Sequence, residues 1–484
     1  MSPCLTEPHS EAQPGGHRLS PESGHSPEAW PGDGVVILGG GVCGLYAGLT
    51  LAEAGVPVTV LEKRTEIGGL ARGCLRLGNF YDLGVHMLHS FDKEVFEKVV
   101  PLMGKDAVKV VLDAKIRWGD GHYRYPLQFA DLLRKMPWRS LVRCVSGLAW
   151  ATISQRFKQQ SATNAEQALT QLYGRALYRY FFRDFTTRYW GIKPCQLSAT
   201  FVHQKMPRFT ALDIIRKLLG YSMRPESPLQ REILHYAKSG AEALPRSMTA
   251  HLEALGGRVL TEAQVIRIEF TGNRIDAVHF EIRGEQVRLP CLHCLSTIPL
   301  AALVKLLGAS VPPAVEASAA KLLYKPMVVF GFLIRKERVL DALYVYFRER
   351  CFHRVGEPKN AGMLVTPSDH TVLIVEMTCE RGDARWQGEG AVIDKVITDL
   401  AEEGICQPED IVETHHFQEA HAYPIYDLGF EAHLEQVQAF LKEVSNLEST
   451  GRQGGFCYPN MHTSMRMGGD AAERARQSLF SKTS

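Results

Sequence analysis

A short apolar strand, a glycine-rich turn, a helix and a second strand open the chain's first recognisable unit. A long helical stretch and then a run of strands follow. This order predicts an α/β fold: a Rossmann-type domain on a parallel sheet, interrupted by a helical region and an antiparallel sheet. Length agrees, since 484 residues exceed what one small core serves and two or three domains are expected. Composition, 45% hydrophobic and 22% charged, is that of a globular chain, and a formal net charge of +2 gives no footprint for nucleic acid.

Residues 1–32 are rich in Pro, Gly, Ser, His and Glu, lack an apolar core or signal-peptide segment, and read as a disordered extension. Val35-Val36-Ile37-Leu38 is the first strand, residues 42–54 the helix, with Gly55 ending it, and Val58-Thr59-Val60-Leu61 the second strand. The uncharged run 35–52 has the length of a membrane span, but its glycine cluster argues otherwise, so no transmembrane segment is expected. Residues 127–250 read as mostly helical, broken at Pro137, Pro194, Pro207 and between Pro225 and Pro228. Within them, residues 132–157 mix Arg and Lys with Leu, Val and Trp. They read as a solvated amphipathic helix, with a membrane-surface helix as the alternative.

From Gly257 the pattern turns to strands: 258–260, 264–270, 277–283, 286–289, 327–334 and 371–378. The expected division is 33–105 for the first part of the Rossmann domain and 106–126 for substrate-domain strands. The helical region is 127–235, the second part of the Rossmann domain 236–305, the substrate-domain sheet 306–445 and a closing segment 446–484. There are no internal repeats.

Eleven scattered cysteines, an odd number with no secretory signal before them, read as free thiols in a reducing, cytoplasmic setting. Cys291-Leu292-His293-Cys294 invites a metal or redox reading. No second pair follows at zinc spacing, and residues 287–299 read as one buried strand ending in a turn. Both cysteines are therefore taken as core, with no metal site.

The dinucleotide signal is Gly39-Gly40-Gly41-Val42-Cys43-Gly44 between strand and helix. Gly39 permits the tight turn, Gly41 lets backbone approach a pyrophosphate at the helix N-terminus, and Gly44 lets helix and strand pack closely. Glu62 ends the second strand 23 residues after Gly39, where a carboxylate accepts from ribose hydroxyls and repels a 2′-phosphate. Gly68-Gly69 and Arg72 follow, and residues 35–72 together resemble the long FAD fingerprint of the glutathione-reductase and amine-oxidase superfamily. FAD is the cofactor this resemblance implies, in a glutathione-reductase-like domain. Gly48, where that pattern prefers Ala, reads as sterically harmless. Val265 resembles the position whose backbone meets the adenine.

A narrower resemblance runs in order along the chain. Asp82-Leu83-Gly84-Val85-His86-Met87-Leu88-His89 is similar to the flavin-lining segment of UDP-galactopyranose mutases. Gly174 to Tyr178 with Phe185-Thr186-Thr187-Arg188-Tyr189-Trp190-Gly191 resembles their nucleotide-binding stretch. Phe352-His353-Arg354-Val355-Gly356-Glu357-Pro358-Lys359 resembles their strand carrying a diphosphate-binding arginine. Ala422-Tyr423-Pro424-Ile425 and Gly451-Arg452-Gln453-Gly454-Gly455-Phe456-Cys457-Tyr458-Pro459-Asn460-Met461 resemble a substrate-contacting segment and the closing flavin segment.

The resemblance implies an enzyme on a small-molecule substrate, a nucleotide-linked sugar. Reduced flavin N5 is then the nucleophile, and NAD(P)H or another reductant supplies the electrons. It further implies that Trp190 stacks on the base, Arg354 pairs with the diphosphate, and Tyr423 and Tyr458 bond phosphate oxygens. His86, Arg452, Asn460 and Met461 would lie at the flavin, with a helix starting near Thr463 pointing its N-terminus there. Two departures matter. The family's second diphosphate arginine falls on Gln204, with Lys205 and Arg208 as nearby substitutes. Further, His235-Tyr236-Ala237-Lys238-Ser239-Gly240 resembles protoporphyrinogen oxidases and desaturases instead. The alternatives are an FAD-dependent oxidoreductase of amine-oxidase, protoporphyrinogen-oxidase or desaturase type, or a flavoprotein holding FAD without turnover.

Overall fold

The computed structural model describes residues 34–119, 121–125, 131, 134–155, 161–205 and 234–480. The N-terminal extension and Arg208 lie outside the described residues.

Five strands form an all-parallel sheet in the order Arg258–Leu260, Val58–Leu61, Val35–Leu38, His293–Ser296 and Leu447–Ser449. Val35–Leu38 and Val58–Leu61 are buried at all four positions, which is why they read as unbroken apolar runs: both faces are covered. Helices Val42–Glu53 and Met461–Phe480 pack together, and a Cβ on Gly468 would lie 2.2 Å from the Cys43 carbonyl oxygen, so a glycine sets that approach. Helix Ala243–Ala254 joins them through Leu252. An antiparallel meander of Gln264–Thr271, Arg274–Ile282 and Glu285–Pro290 hangs between the third and fourth strands of the parallel sheet in chain order.

The second large sheet has seven strands. Their order is Ile411–Pro424, Tyr324–Ile334, Thr371–Thr378, Arg354–Gly356, Tyr344–Phe347, Ala114–Trp118 and Gly121–Tyr125. All neighbours are antiparallel except Tyr344–Phe347 beside Ala114–Trp118. The fold class is as expected. Three local readings change. Residues 234–237 are a buried strand inside the stretch read as helical, pairing with Leu88–His89 and Ala107–Val110. A stretch of four residues is too short to carry a period, so distant partners decide its state. Residues 287–299 are not one strand: Pro290 closes the meander, and the chain crosses at Cys291 and Leu292 into the parallel sheet as His293–Ser296. The last helix begins at Met461, two residues before Thr463. Cys291 and Cys294 are buried free thiols. Among the described residues no helix is long and apolar enough to cross a membrane.

Candidate functional site

At the carboxyl ends of the parallel strands, Gly39 takes φ +104, a conformation open to glycine. A Cβ on Gly44 would lie 2.1 Å from the Gly39 carbonyl oxygen, so backbone packs on backbone there. Gly41 differs: a Cβ there meets only the Gly69 Cα at 3.8 Å, leaving open space before the first turn of the helix. The Glu62 carboxylate accepts from the amides of Gly40 and Arg64, each at 2.9 Å, which fixes it at the lip of that space. Gly68 and Gly69 have φ +97 and +61, and the Gly68 amide donates to the Gly40 carbonyl at 2.7 Å, closing the doublet on the glycine turn. The amides of Glu262 and Ala263 bond the carbonyls of Arg64 and Glu62, which brings Val265 close behind the acid. An open, amide-lined helix N-terminus, a fixed carboxylate and a glycine doublet fit the pyrophosphate and ribose of FAD.

The buried Arg72 donates to the Gly69 carbonyl (2.8 Å) and to Glu419 (3.0 Å), tying the glycine doublet to the strand Ile411–Pro424. Gly48 leaves no room for the alanine that the fingerprint prefers: a Cβ there would meet Leu252 Cδ1 at 2.6 Å and Val60 Cγ2 at 3.2 Å.

The resemblance segments converge around a second centre, a cavity of about 60 Å³. It is lined by Tyr189, Met327, Tyr346, His353, Arg354, Glu376, Met377, Thr378, Tyr423 and Tyr458. Arg354 stands directly across the sheet from Glu376 and holds it with two bonds of 2.7 Å, from Nε and Nη2. Burial works against the guanidinium charge and Glu376 more than offsets it, so Arg354 stays firmly protonated. Its face lies over Tyr344 and Tyr346, 5.3 and 5.6 Å from the ring centres. Arg452 stacks on Tyr458 at 4.5 Å and lies 5.6 Å from the Tyr423 ring centre, while donating to the carbonyls of Ala422 and Pro459. Among the described residues Arg452 pairs with no carboxylate.

His86 faces both arginines. Burial, then the charges of Arg354 and Arg452, pull it down to about 3, so the ring is neutral at ordinary pH. Gly84 (φ +136) makes room here, since a Cβ would meet His86 Cε1 at 3.2 Å and Glu376 Oε1 at 3.3 Å. Asp82 anchors this segment by accepting from the Ala241 amide (3.0 Å) and the Tyr236 hydroxyl. The flavin-lining motif and the His235–Gly240 motif are thus one local unit. Burial raises the Asp82 carboxyl to about 6, against the two hydrogen bonds.

Other expected residues stand apart. Trp190 is 4% exposed, edge-on to Phe201 and near Tyr189 and Tyr423, with no open face for a base. Gln204 is exposed and takes the Tyr426 hydroxyl at 3.3 Å. Lys205 ends helix Ala199–Lys205. Asn460 is exposed directly before helix Met461–Phe480, and Met461 packs on the buried cluster of Leu45, Tyr46 and Met465 that also takes Val42 and Ile67. Sequence reasoning missed Glu376, Tyr346 and Tyr189. Glu376 had a signal: it is the one charge in Thr371–Thr378, whose eight residues are all buried.

Known proteins share this fold. The model of flavin-containing amine oxidoreductases matches residues 42–468. A probable UDP-galactopyranose mutase of Klebsiella pneumoniae is 24% identical over 196 residues, 36% of this chain and 45% of that protein. The chain thus spans less than half of that relative's length. A lycopene-forming phytoene desaturase of Pantoea ananas is 24% identical over 280 residues, 51% of this chain and 52% of that protein. The structure of a reduced UDP-galactopyranose mutase superposes with TM-score 0.78 at 21% identity, covering 92% of this chain and 94% of the other. A putative protoporphyrinogen oxidase from Exiguobacterium sp. 255-15 gives 0.67 at 16% identity, covering 92% and 98%. The chain belongs to the family of flavin-containing amine oxidoreductases and is an FAD-dependent enzyme.

Proposed function

We propose that this flavoenzyme acts as a mutase-like enzyme on a phosphate-bearing sugar, of the nucleotide-linked kind. The carrying observation is that Arg354, Tyr346, Tyr423 and Tyr458 line one chamber, with Arg452 stacked on Tyr458 and His86 within the field of both arginines. Bound and reduced, FAD supplies an electron-rich nucleophile. The protein's residues supply charge and placement. Arg354 presents a planar donor fork, pre-set by Glu376, toward phosphate oxygens. Arg452 contributes a positive charge without a carboxylate, which favours an anion in its neighbourhood. The neutral His86 donates from Nδ1 to the Gly84 carbonyl at 3.2 Å, which leaves Nε2 as an acceptor for a substrate hydroxyl. The tyrosine rings wall the chamber from water.

Three observations favour a second reading, a net oxidoreductase on a less charged substrate. Arg354 is already neutralised by Glu376, Gln204 sits at the surface and the Trp190 ring is covered. Calorimetry with a nucleoside diphosphate, together with anaerobic mixing of enzyme and a panel of nucleotide sugars, separates the two. The mutase reading expects binding that Arg354→Ala weakens about tenfold to a hundredfold, the value of a charge-assisted pair. It also expects turnover only by reduced enzyme, without net use of reductant. No diphosphate binding at millimolar concentration, with substrate bleaching the oxidised flavin, gives the oxidoreductase.

A further inference from the structure

Helix Trp138–Gln155 has two apolar faces where a surface helix needs one. Cys144, Leu148 and Ala151 are buried on the inner face. There the backbone of helix Ala165–Leu177 approaches so closely that a Cβ on Gly174 would lie 2.4 Å from the Gly147 carbonyl oxygen. The inner face therefore has its partner. The outer face carries Trp138, Val142, Val145 and Ile153, which fall within about 80° of the helix circumference at 100° per residue. Trp138, Val142 and Ile153 are 70%, 57% and 54% exposed, and Trp150, next to that stripe, is 72% exposed.

The charges along this stripe are basic. Arg134, Arg139 and Arg143 lie on or just before the helix and are exposed, Lys135 is held by Asp131 at 3.6 Å, and between Asp131 and Glu166 the sequence has no acidic residue. A second copy docked through this face would meet the same basic rim with no carboxylate to receive it, and like charges would repel. A nucleic acid would meet the cations but leave the tryptophans without apolar cover. An anionic bilayer answers both, because indole rings settle at the headgroup boundary while guanidinium groups reach lipid phosphates.

We infer that the helix Trp138–Gln155 docks this enzyme onto the surface of an anionic lipid membrane. The consequence reaches the chamber. Met136 and Cys144 pack with Tyr123 and Phe181 beneath the helix, and Tyr125 on the same strand as Tyr123 lies 5.2 Å from Tyr346 in the chamber wall. The inference stands on the helix alone and does not rest on the proposed substrate.

The test is flotation of the FAD-loaded full chain with phosphatidylglycerol–phosphatidylcholine vesicles and with phosphatidylcholine vesicles. Binding is expected on the anionic vesicles, falling with added salt. Both Trp138→Ser/Trp150→Ser and Arg139→Glu/Arg143→Glu should reduce it about tenfold or more. All four positions are exposed, so FAD content and thermal midpoint should match the wild type. Absent binding at low salt, equal binding to neutral vesicles, or variants that bind as the wild type overturns the inference. So does a wild-type dimer that Trp138→Ser/Trp150→Ser dissociates, since the stripe is then covered by a second copy.

Discussion

The glycine turn at the parallel sheet and the tyrosine chamber at the second sheet are both built to hold a ligand, but by opposite means. The first is backbone: Gly39, Gly44, Gly68 and Gly69 place amides and open space, with Glu62 as the one side chain that matters most. The second is side chain against side chain, with Arg354 fixed by Glu376 from the neighbouring strand and the rings of Tyr344, Tyr346, Tyr423 and Tyr458 packed on two guanidiniums. Backbone sites tolerate no added atom. Side-chain sites tolerate no lost partner.

The largest expected effect breaks the second region. Glu376→Ala leaves the Arg354 charge buried without its carboxylate, and removing one member of such a pair costs about 3–5 kcal/mol. Denaturant unfolding should show that loss, and Arg354→Met added to Glu376→Ala should recover most of it, because the uncompensated charge is then gone. A single variant as stable as wild type would show that the pair is not desolvated.

The first region breaks differently. Gly41→Val adds atoms only to open space, so the apoprotein should fold while FAD affinity drops by about a hundredfold or more, about 3 kcal/mol. Absorbance of bound flavin together with the circular dichroism of the apoprotein checks both halves. Full flavin occupancy in this variant contradicts the placement of the pyrophosphate.

A pH experiment probes where the chamber's positive charge is felt. The folded state holds His86 at about 3, well below the usual histidine value, so its contribution to stability is complete above about 6.5 and is lost as pH falls from there toward 3. Each unit of that fall is worth at most about 1.4 kcal/mol. His86→Gln should therefore lose less stability than the wild type between pH 7 and pH 5. Equal slopes would mean that His86 protonates freely in the fold.

These two regions also explain what the sequence could disclose. The glycine turn was legible because a local string, Gly39 to Gly44 with Glu62 and Gly68-Gly69 at fixed offsets, is the structure. The Arg354–Glu376 pair joins residues on separate strands, and only the register of the sheet sets them opposite one another. The same reason hid the strand Leu234–Ala237, whose partners lie more than a hundred residues away. Arg72 reads as a cofactor residue in sequence because it follows the doublet, whereas its partner Glu419 enters from the far end of the second sheet.

Gly48 is the smallest and sharpest case, since local pattern and distant packing there pull in opposite directions. It lies inside helix Val42–Glu53, where Ala in place of Gly gains about 0.5–1 kcal/mol of helix propensity, and the fingerprint itself prefers Ala there. The fold places Leu252 over it, and the added methyl would meet Leu252 Cδ1 at 2.6 Å. Overpacking of a filled core costs about 1–3 kcal/mol. The second term is the larger, so Gly48→Ala should destabilise by about 1 kcal/mol, read as a lower denaturant midpoint at unchanged slope. Leu252→Ala removes the obstructing methyl groups and by itself leaves a cavity, so it too should destabilise. The double variant decides: the methyl added by Gly48→Ala fills part of that cavity and the propensity gain is released, so the two costs should fall short of additivity by about 1 kcal/mol or more. Strict additivity would mean that Leu252 yields freely and that the helix-local reading of Gly48 was sufficient.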